Sequence, residues 1–391
     1  MEFYDVFNQD YIRVARNREK QFLVKVESLD EQEFVISEIT DDIIIDSLNL
    51  DVSYEQGTQA KCSFSVINNG KYGVDENSPF WFNKKIKLYI GLVDRTTQNV
   101  FWFSKGVFII TGVSVEDTMV SISCVDKFGQ FTADLGASCL HESSKINAGE
   151  NIDNIYRKVL GQDKGNGRPI DSIKPIIDIE LRTKTLGQDI EMGEGTYIGE
   201  ILTELATTTK CRIKYDNQGR LRITKGSIDS QYVNKSSVWD FDDNKTADFL
   251  NITAEYNFPN VKNKVTVWGE SFDGQTFKAT AINNSPLSPV CVDKVGYRVD
   301  NSIEDLYGYD QENVDAFAEM YLSIKTIQEI GINLDCTVLP HIDVEDCVSV
   351  THPNLKFNND RFFVTGVNFS GSKMSLTLAN VDNLPWQIEL Q

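Results

Sequence analysis

The chain has 391 residues, with 58 acidic against 38 basic side chains and a formal net charge of −20. A chain of this length exceeds one ordinary hydrophobic core, so we expect it to form about two to four domains. The acidic balance argues against stable nucleic-acid binding and against an anionic membrane surface, because both need clustered Lys and Arg.

The sequence gives no sign of a segment that crosses or targets a membrane. It has no run of about 18 apolar residues, and its first residues lack the basic start and apolar stretch of a signal peptide. Seven cysteines are scattered along the chain, a pattern typical of reduced, buried thiols rather than of a disulfide framework. We therefore expect folding in a cytoplasm and no membrane insertion.

The first third of the chain predicts β structure after a basic start. The basic stretch within residues 1–45 consists of Arg13, Arg16, Arg18 and Lys20. It is either an arm that touches an acidic neighbour or a solvated face, and charge runs favour the second interpretation. From about residue 43 to 128, apolar and polar residues alternate, which predicts half-buried antiparallel strands. The clearest examples are 61–66, 85–90, 107–113 and 120–125.

From about residue 140 to 226 the apolar spacing becomes that of helices. One stripe, closed by Gly161, consists of Ile152, Ile155, Tyr156, Val159 and Leu160, and a second of Ile198, Ile201, Leu202, Leu205 and Ala206. We expect Thr196 to cap the second helix. The Gly-rich segment 161–167 is predicted to be a loop, and a hairpin with its turn at 216–219 follows. Together these elements predict a small α+β module.

β patterning returns from about residue 247 and is interrupted by one helix. Its apolar stripe consists of Val314, Phe317, Ala318, Tyr321 and Leu322. Asp310 is the predicted N-cap of this helix. Residues 383–391 are predicted to be a short tail.

The two β regions resemble each other in sequence. Residues 108–113 align with 362–367 at an offset of 254. Upstream, 48–50 align with 250–252 at an offset of 202. Because the two offsets differ by 52, the second copy must contain an insertion of about that size, which residues 270–330 supply. Matches in the same order along both regions favour a true duplication over chance reuse of strand patterns.

The sequence shows none of the common enzyme signatures. His141-Glu142 lacks the second histidine of a zinc-protease helix, and neither a P-loop nor a G-x-S-x-G elbow occurs. Cys139 and His141 are close in sequence, but no recognisable thiol-enzyme pattern surrounds them. We therefore name no catalytic residue and no cofactor-binding residue.

Two groups of side chains contain residue types that suit metal ions. The first has the spacing C-x4-H-x5-C-x4-H and consists of Cys336, His341, Cys347 and His352. The second begins like a calcium loop and consists of Asp240, Asp242 and Asn244. That loop lacks its glycine and its final glutamate, so we favour a turn between strands there, and buried thiols with loop histidines in the first group. The sequence leaves ion binding open at both groups.

The chain resembles a known protein family in two blocks, 107–126 and 361–380, and in the stretches 332–335, 342–348 and 362–367. They resemble the baseplate or tail hub proteins of long-tailed bacteriophages and related contractile injection systems. The resemblance implies a mainly β fold with α+β insertions, in which one chain holds two tail-tube-like antiparallel β-barrel or sandwich domains. The implied domains are 1–137 with an N-terminal arm, the α+β insertion 138–240, and 241–269 plus 330–391 interrupted by the insertion 270–329 with a helix at 310–328.

The same resemblance implies a structural hub in the virion tail, assembled in the host cytoplasm and without enzymatic activity or cofactor. A homotrimer would present six similar β domains as a pseudo-sixfold ring. The expected partners are the hexameric tail tube protein, threefold spike, fibre or tail-tip proteins, and the tape measure protein. Genomic DNA would be a partner only in transit during ejection, and acidic groups lining the bore would repel it from the wall.

Two alternative functions stay open at this point. The aromatic clusters 80–82 and 101–103 would stack on sugars in a receptor- or glycan-binding tail protein. Because each cluster flanks a predicted strand, packing in a core or subunit interface is the favoured interpretation. A cell-wall hydrolase is the second alternative, and it lacks the nucleophile-base signature that such an enzyme should show.

Overall fold

The structure is a computed structural model that describes most of the chain. The described residues are 9–17, 19–54, 59–73, 75–81, 84–132, 140, 143–161, 169–187, 189–209, 211–225, 235–242, 249–256, 261–271, 274–300, 303–305, 310–327, 330–380 and 388–390. Among them, no helix is both long and apolar enough to cross a membrane.

The first β region begins with a short helix that is followed by strands. These elements are α1 (Gln9–Ala15), β1 (Phe22–Leu29), β2 (Val35–Ile39), β3 (Ile43–Ser53), β4 (Ala60–Ile67), β5 (Lys85–Val93), β6 (Val100–Val115) and β7 (Met119–Asp126). Alternation lets one face of each strand be buried while the other stays polar. In β4, for example, Cys62, Phe64 and Val66 are buried, whereas Lys61 is exposed.

The α+β insertion follows and has its own core of buried residues. Its elements are β8 (Ser144–Ile146), α2 (Ile152–Leu160), β9 (Ile176–Ile177), β10 (Ile190–Met192), α3 (Ile198–Thr208), β11 (Cys211–Tyr215) and β12 (Leu221–Lys225). Both predicted helices and the predicted hairpin are confirmed. After Gly161, the predicted loop at 161–167 lies outside the described residues.

The N-cap predicted for α3 was wrong by one residue. Tyr197 occupies the cap position, with an extended backbone and no side-chain bond to the helix. The reason is that the Thr196 carbonyl accepts the Leu140 N–H at 3.0 Å. This bond ties Thr196 to the preceding segment, so the helix begins one residue later.

The last part of the chain is mostly β. Its elements are β13 (Trp239–Asp242), β14 (Phe249–Tyr256), β15 (Lys264–Glu270), β16 (Thr276–Asn283), α4 (Val292–Val295), β17 (Ile303–Asp305), α5 (Gln311–Ile327), β18 (Ile330–Thr337), β19 (Cys347–His352), β20 (Phe357–Ser370), β21 (Lys373–Asn380) and β22 (Ile388–Leu390). The cap of α5 is confirmed, because the Asp310 carboxylate accepts the Asn313 N–H at 2.8 Å. The predicted tail instead contains β22, which pairs with β16; 381–387 and 391 lie outside the described residues.

One large sheet joins the two β regions. Its path is β14-β18-β21-β20-β3-β4-β7-β6-β5-β1-β2, and β19 attaches to β20 with β13 beside it. Neighbours along the path are antiparallel, whereas β13 and β19 are parallel. Buried residues from both regions form one hydrophobic cluster against this sheet. The mainly β fold with an α+β insertion is thus confirmed.

A second, smaller sheet lies outside this path, in the order β17-β15-β16-β22. Val314, Ala318 and Leu322 of α5 are buried against Val265 and Val267 of β15. The resemblance implies that 241–269 belong to the second tube-like domain, but β15 pairs with β16 and β17 rather than with the large sheet. We therefore propose that the helix-bearing insertion begins near residue 261.

Strand register confirms the internal repeat. The residue pairs between β20 and β21 are the same as those between β6 and β7 once 254 is added to each residue number of the first copy. Both ladders skip one residue at the same place, Thr111 in β6 and Thr365 in β20. Each threonine donates its hydroxyl to a carbonyl of the facing strand, Ser123 at 3.0 Å and Thr377 at 3.1 Å. Shared register and a shared irregularity make chance similarity untenable.

The equivalence of β3 and β14 also holds, but with an offset of 204 rather than 202. Cys62 and Ile332 occupy the same place against β7 and β21. Leu50 lies opposite Cys62, and Ala254 lies opposite Ile332. The error is two residues because strand patterns repeat every two residues, so a shift of two keeps every side chain on its face.

Candidate assembly interfaces

The two copies of the repeat meet where β3 lies against the second half of β20. The paired segments are 49–53 and 366–370. Leu50 and Phe369 face each other across this junction and are 0% and 1% exposed. Each copy therefore covers a strand edge of the other, which satisfies backbone groups and buries apolar surface together.

The turn between β11 and β12 docks the α+β insertion onto both β regions. The Asn217 carbonyl accepts the Ser104 hydroxyl at 2.5 Å, and the Asn217 amide donates to Asp343 at 2.6 Å. Gly219 has a φ of +74°, and a Cβ at this position would lie 2.6 Å from a methyl carbon of Val107. Only glycine allows the backbone to approach β6 this closely in this conformation.

A buried ammonium lies at this docking point. Lys127 is 0% exposed, and its Nζ contacts Glu33 at 2.5 Å and Asp171 at 3.0 Å and donates to the Gly219 carbonyl at 2.8 Å. Lys85 contacts Glu33 at 2.7 Å. Burial and the neighbouring Lys127 charge lower the pKa of Lys85. Two cations and two carboxylates thus balance each other between the first β region and the insertion.

A second ionic contact joins the insertion to the second β region. Glu345 forms salt bridges with Arg212 and Lys214 of β11. Burial would raise the pKa of Glu345, but these two cations hold it below its usual range. The Arg212 guanidinium also lies 3.3 Å from the centroid of the Tyr54 ring, directly after β3. The insertion is therefore bound to both copies of the repeat.

The candidate metal ligands that the structure describes lie in strands or accept hydrogen bonds from the chain. In the described part of the chain, no group of three or more His, Cys, Asp or Glu side chains is arranged to hold a metal ion. Cys336 and Cys347 are buried in β18 and β19, and Nδ1 of His352 accepts a backbone N–H at 3.3 Å. Asp240 and Asp242 lie in β13 rather than in the predicted turn. Asn244, Cys139 and His141 lie outside the described residues.

His341, the fourth member of the zinc candidate, packs in an aromatic cluster. It is 1% exposed, contacts the Tyr11 hydroxyl of α1 and lies against the ring of Trp239. Burial and the nearby Lys105 lower its pKa well below the ordinary value. A neutral imidazole that anchors α1 is the arrangement this geometry supports.

The basic N-terminal stretch binds its own chain. Arg13 forms a salt bridge with Asp94 at 2.7 Å, and the Arg16 guanidinium lies 4.0 Å from the centroid of the Trp239 ring. Lys20 donates to a β18 hydroxyl at 2.6 Å. Arg18 lies outside the described residues. The stretch thus contacts both β regions of its own chain, and the Arg13 side chain is at the same time half exposed to solvent.

The aromatic clusters are mainly packing residues. Phe80 is 3% exposed, and the rings of Phe101 and Phe103 lie 5.5 Å and 5.1 Å from that of Tyr11. Phe82 lies outside the described residues. Trp81 and Trp102 are half-buried, so neither ring is a flat, fully exposed platform for a sugar, and packing is the favoured interpretation of both clusters.

Sequence reasoning missed Lys127 and Glu345. Lys127 follows an alternating strand and precedes Phe128, so a charged residue inside an apolar run was the available signal. Glu345 stands in an acidic loop that looks solvated in sequence. Their partners are distant in the chain, and sequence patterns cannot pair them.

Comparison with known proteins rests on structure. No family model and no curated protein matches the sequence. A tail protein from Neisseria meningitidis MC58 has a TM-score of 0.63 at 13% identity, over 93% of this chain and 99% of its own. The 43 kDa tail protein of prophage MuSo2 from Shewanella oneidensis has a TM-score of 0.57 at 12% identity, with the same coverage.

The chain has the fold of these tail proteins. The similarity extends over nearly the full length of both chains, so it includes the repeated β regions and the insertions together. The resemblance inferred from the repeated blocks is thereby confirmed at the level of the fold. At sequence identities of 12–13%, the similarity to these tail proteins concerns the fold.

Proposed function

We propose that this protein is a structural hub in the baseplate or tail tip of a bacteriophage virion, assembled in the host cytoplasm. Three chains form a ring of six similar β units. One face of the ring fits the sixfold tail tube, and the other fits threefold spike, fibre or tail-tip proteins. The tape measure protein is a further partner, and the role requires neither catalysis nor a cofactor.

The observation that carries this proposal is the joined repeat. Two copies with the same register lie edge to edge in one sheet, through β3 and β20. Three such chains supply six equivalent strand blocks while each keeps one set of insertions, which is what a match between sixfold and threefold partners requires. The similarity in fold to two tail proteins supports a place in the tail.

The acidic charge fits a conduit for DNA. One chain carries −20, so three chains bring about −60 (3 × −20) to one ring. Acidic groups along the bore would repel the phosphate backbone, and DNA would pass without binding the wall. A ring whose bore is neutral or basic would contradict this part of the proposal.

The proposal is tested by mixing the purified chain with the tail tube protein and imaging the mixture in negative stain. We expect six-lobed rings that cap one end of the tubes. Tube protein alone serves as the control and should show uncapped ends. A chain that forms no rings and leaves tube ends bare at every concentration would contradict the hub function.

A further inference from the structure

Among the strand edges of the large sheet that lack a partner in the described residues, one lies in β6 and another in β14. β6 pairs with β5 through 100–109 and with β7 through 108–115, which leaves the β5-side edge of 111–115 open. β14 pairs with β18 on one side, and no described strand lies on its other side. Open edges present backbone N–H and C=O groups that pair readily with another strand.

These two edges are the repeat equivalents of the edges that meet inside the chain. The β20 segment 366–370 pairs with β3, and it corresponds to 112–116 in the first copy. The β3 segment 49–53 corresponds to 253–257 in the second copy, of which 253–256 are described. Each chain therefore forms one junction of this kind internally. Its two open edges are the two strands from which a second junction of the same kind could be built.

The exposed fractions of equivalent side chains differ between the edges that pair inside the chain and the edges that are open. Phe369 at the internal junction is 1% exposed, whereas its equivalent Val115 is 42% exposed. Leu50 at the internal junction is 0% exposed, whereas its equivalent Ala254 on β14 is half-buried. Apolar side chains beside open backbone edges are the composition of a surface that another strand covers.

We infer that β14 of one copy of the chain pairs antiparallel with the second half of β6 in the next copy. The internal junction sets the register: Asn368 lies opposite Asp51, so Ser114 lies opposite Glu255. Within one chain β14 pairs with β18, and β6 pairs with β5 and β7, so the two open edges do not pair with each other. Each chain has one edge of each kind, and head-to-tail pairing of this type forms a ring when the rotation from one chain to the next closes.

The partner is thus a second copy of this chain. The strand pairing rests on the observed register, whereas the number of chains in the ring rests on the proposed function.

Ser114 and Glu255 are suited to a disulfide test. At the internal junction the Tyr54 N–H donates to the Thr365 carbonyl at 2.8 Å, which makes every second pair along the ladder a hydrogen-bonded one. The Ser114–Glu255 pair then falls at a non-hydrogen-bonded position, where Cα atoms are about 4.5 Å apart. That spacing lies within the range of natural disulfides. Both side chains are exposed, so substitution leaves the core intact.

The experiment is mild oxidation of the Ser114→Cys/Glu255→Cys double variant, followed by non-reducing electrophoresis. We expect chains linked covalently to one another at about tenfold the level of either single variant. The matched control is Ser114→Cys/Lys373→Cys, since Lys373 is exposed but lies two strands from β14. It should stay at the level of the single variants.

Hydrogen exchange on the unsubstituted protein gives a second readout. In the assembled form, 112–115 and 253–256 should be protected to the same degree as 366–370. Assembled rings with neither the crosslink nor this protection would overturn the pairing and leave the hub function standing. A chain that stays monomeric and uncrosslinked would overturn both.

Discussion

Lys127 shows how one residue can hold separate parts of this chain together. Its ammonium has no exposed surface and is shared between Glu33 of the β1–β2 turn and Asp171 of the α+β insertion. A buried charge is tolerated only when it is fully paired, and removal of one partner leaves the others desolvated. The stability of the docked insertion therefore depends on this lysine.

Substitution of Lys127 by Met should lower the free energy of unfolding by about 3–5 kcal/mol, because Asp171 would stay buried without its cation and Glu33 would keep only Lys85. Lys61→Met is the control: Lys61 is an exposed lysine of β4, and its loss should change stability by no more than about 0.5 kcal/mol. Urea titration followed by tryptophan fluorescence measures both. Equal effects would contradict the structural role of Lys127.

Asp126 makes stability depend on pH. Burial raises its pKa to about 6, although the N–H groups of Gln59, Ala60 and Phe128 donate to the carboxylate and oppose that shift. The pKa in the folded state lies above the value of about 4 expected in the unfolded chain. The stabilisation from this group is therefore complete below about pH 4 and is lost as pH rises through about 6.

The free energy of unfolding of the wild-type chain, relative to that of Asp126→Asn, should accordingly be higher at pH 5 than at pH 7. We expect a change of about 1 kcal/mol between the two pH values, measured by urea titration at each. The variant lacks the titrating group, so it corrects for all other carboxylates. A difference that stays constant with pH would show that Asp126 has the same pKa in both states.

At the scale of elements, the sequence predicts individual helices and strands, but it does not predict the contacts between segments that are distant in the chain. The stripe that predicted α2 lies within nine residues, so the sequence contains the whole signal. The alignment of β3 with β14 was two residues off because alternation cannot detect such a shift. The close approach of Gly219 to Val107 joins residues more than 100 positions apart, and no local pattern reports it.

The docking of the β11–β12 turn can be tested at Gly219. Alanine there should cost about 1–2 kcal/mol for the left-handed backbone and a further 1–3 kcal/mol for the clash with Val107. Gly195 provides the control, since it has a φ of +83° and open space around it. Gly195→Ala should show only the first cost.

Thermal unfolding and limited proteolysis of the two glycine variants separate these contributions. We expect Gly219→Ala to lower the midpoint further and to expose the α+β insertion to cleavage. If the two variants melt together and resist protease equally, the turn does not hold the insertion in place.

At the scale of the whole molecule, one architecture accounts for the repeat, the insertions and the charge. The repeat forms a continuous sheet within a chain, and the insertion is bound to both copies by the Lys127 and Glu345 contacts. This arrangement joins two similar units within each chain. In the hub that we propose, three chains repeat that pair, and their net charge of −20 each would disfavour binding of DNA in transit.

We propose that three of these paired units make the functional assembly, and native mass measurement in solution tests this proposal most directly. We expect a stable species of three times the 44.2 kDa of one chain, with six similar lobes when the same sample is imaged. A sample that holds only single chains over the whole accessible concentration range, or that closes with a number of chains other than three, would contradict it.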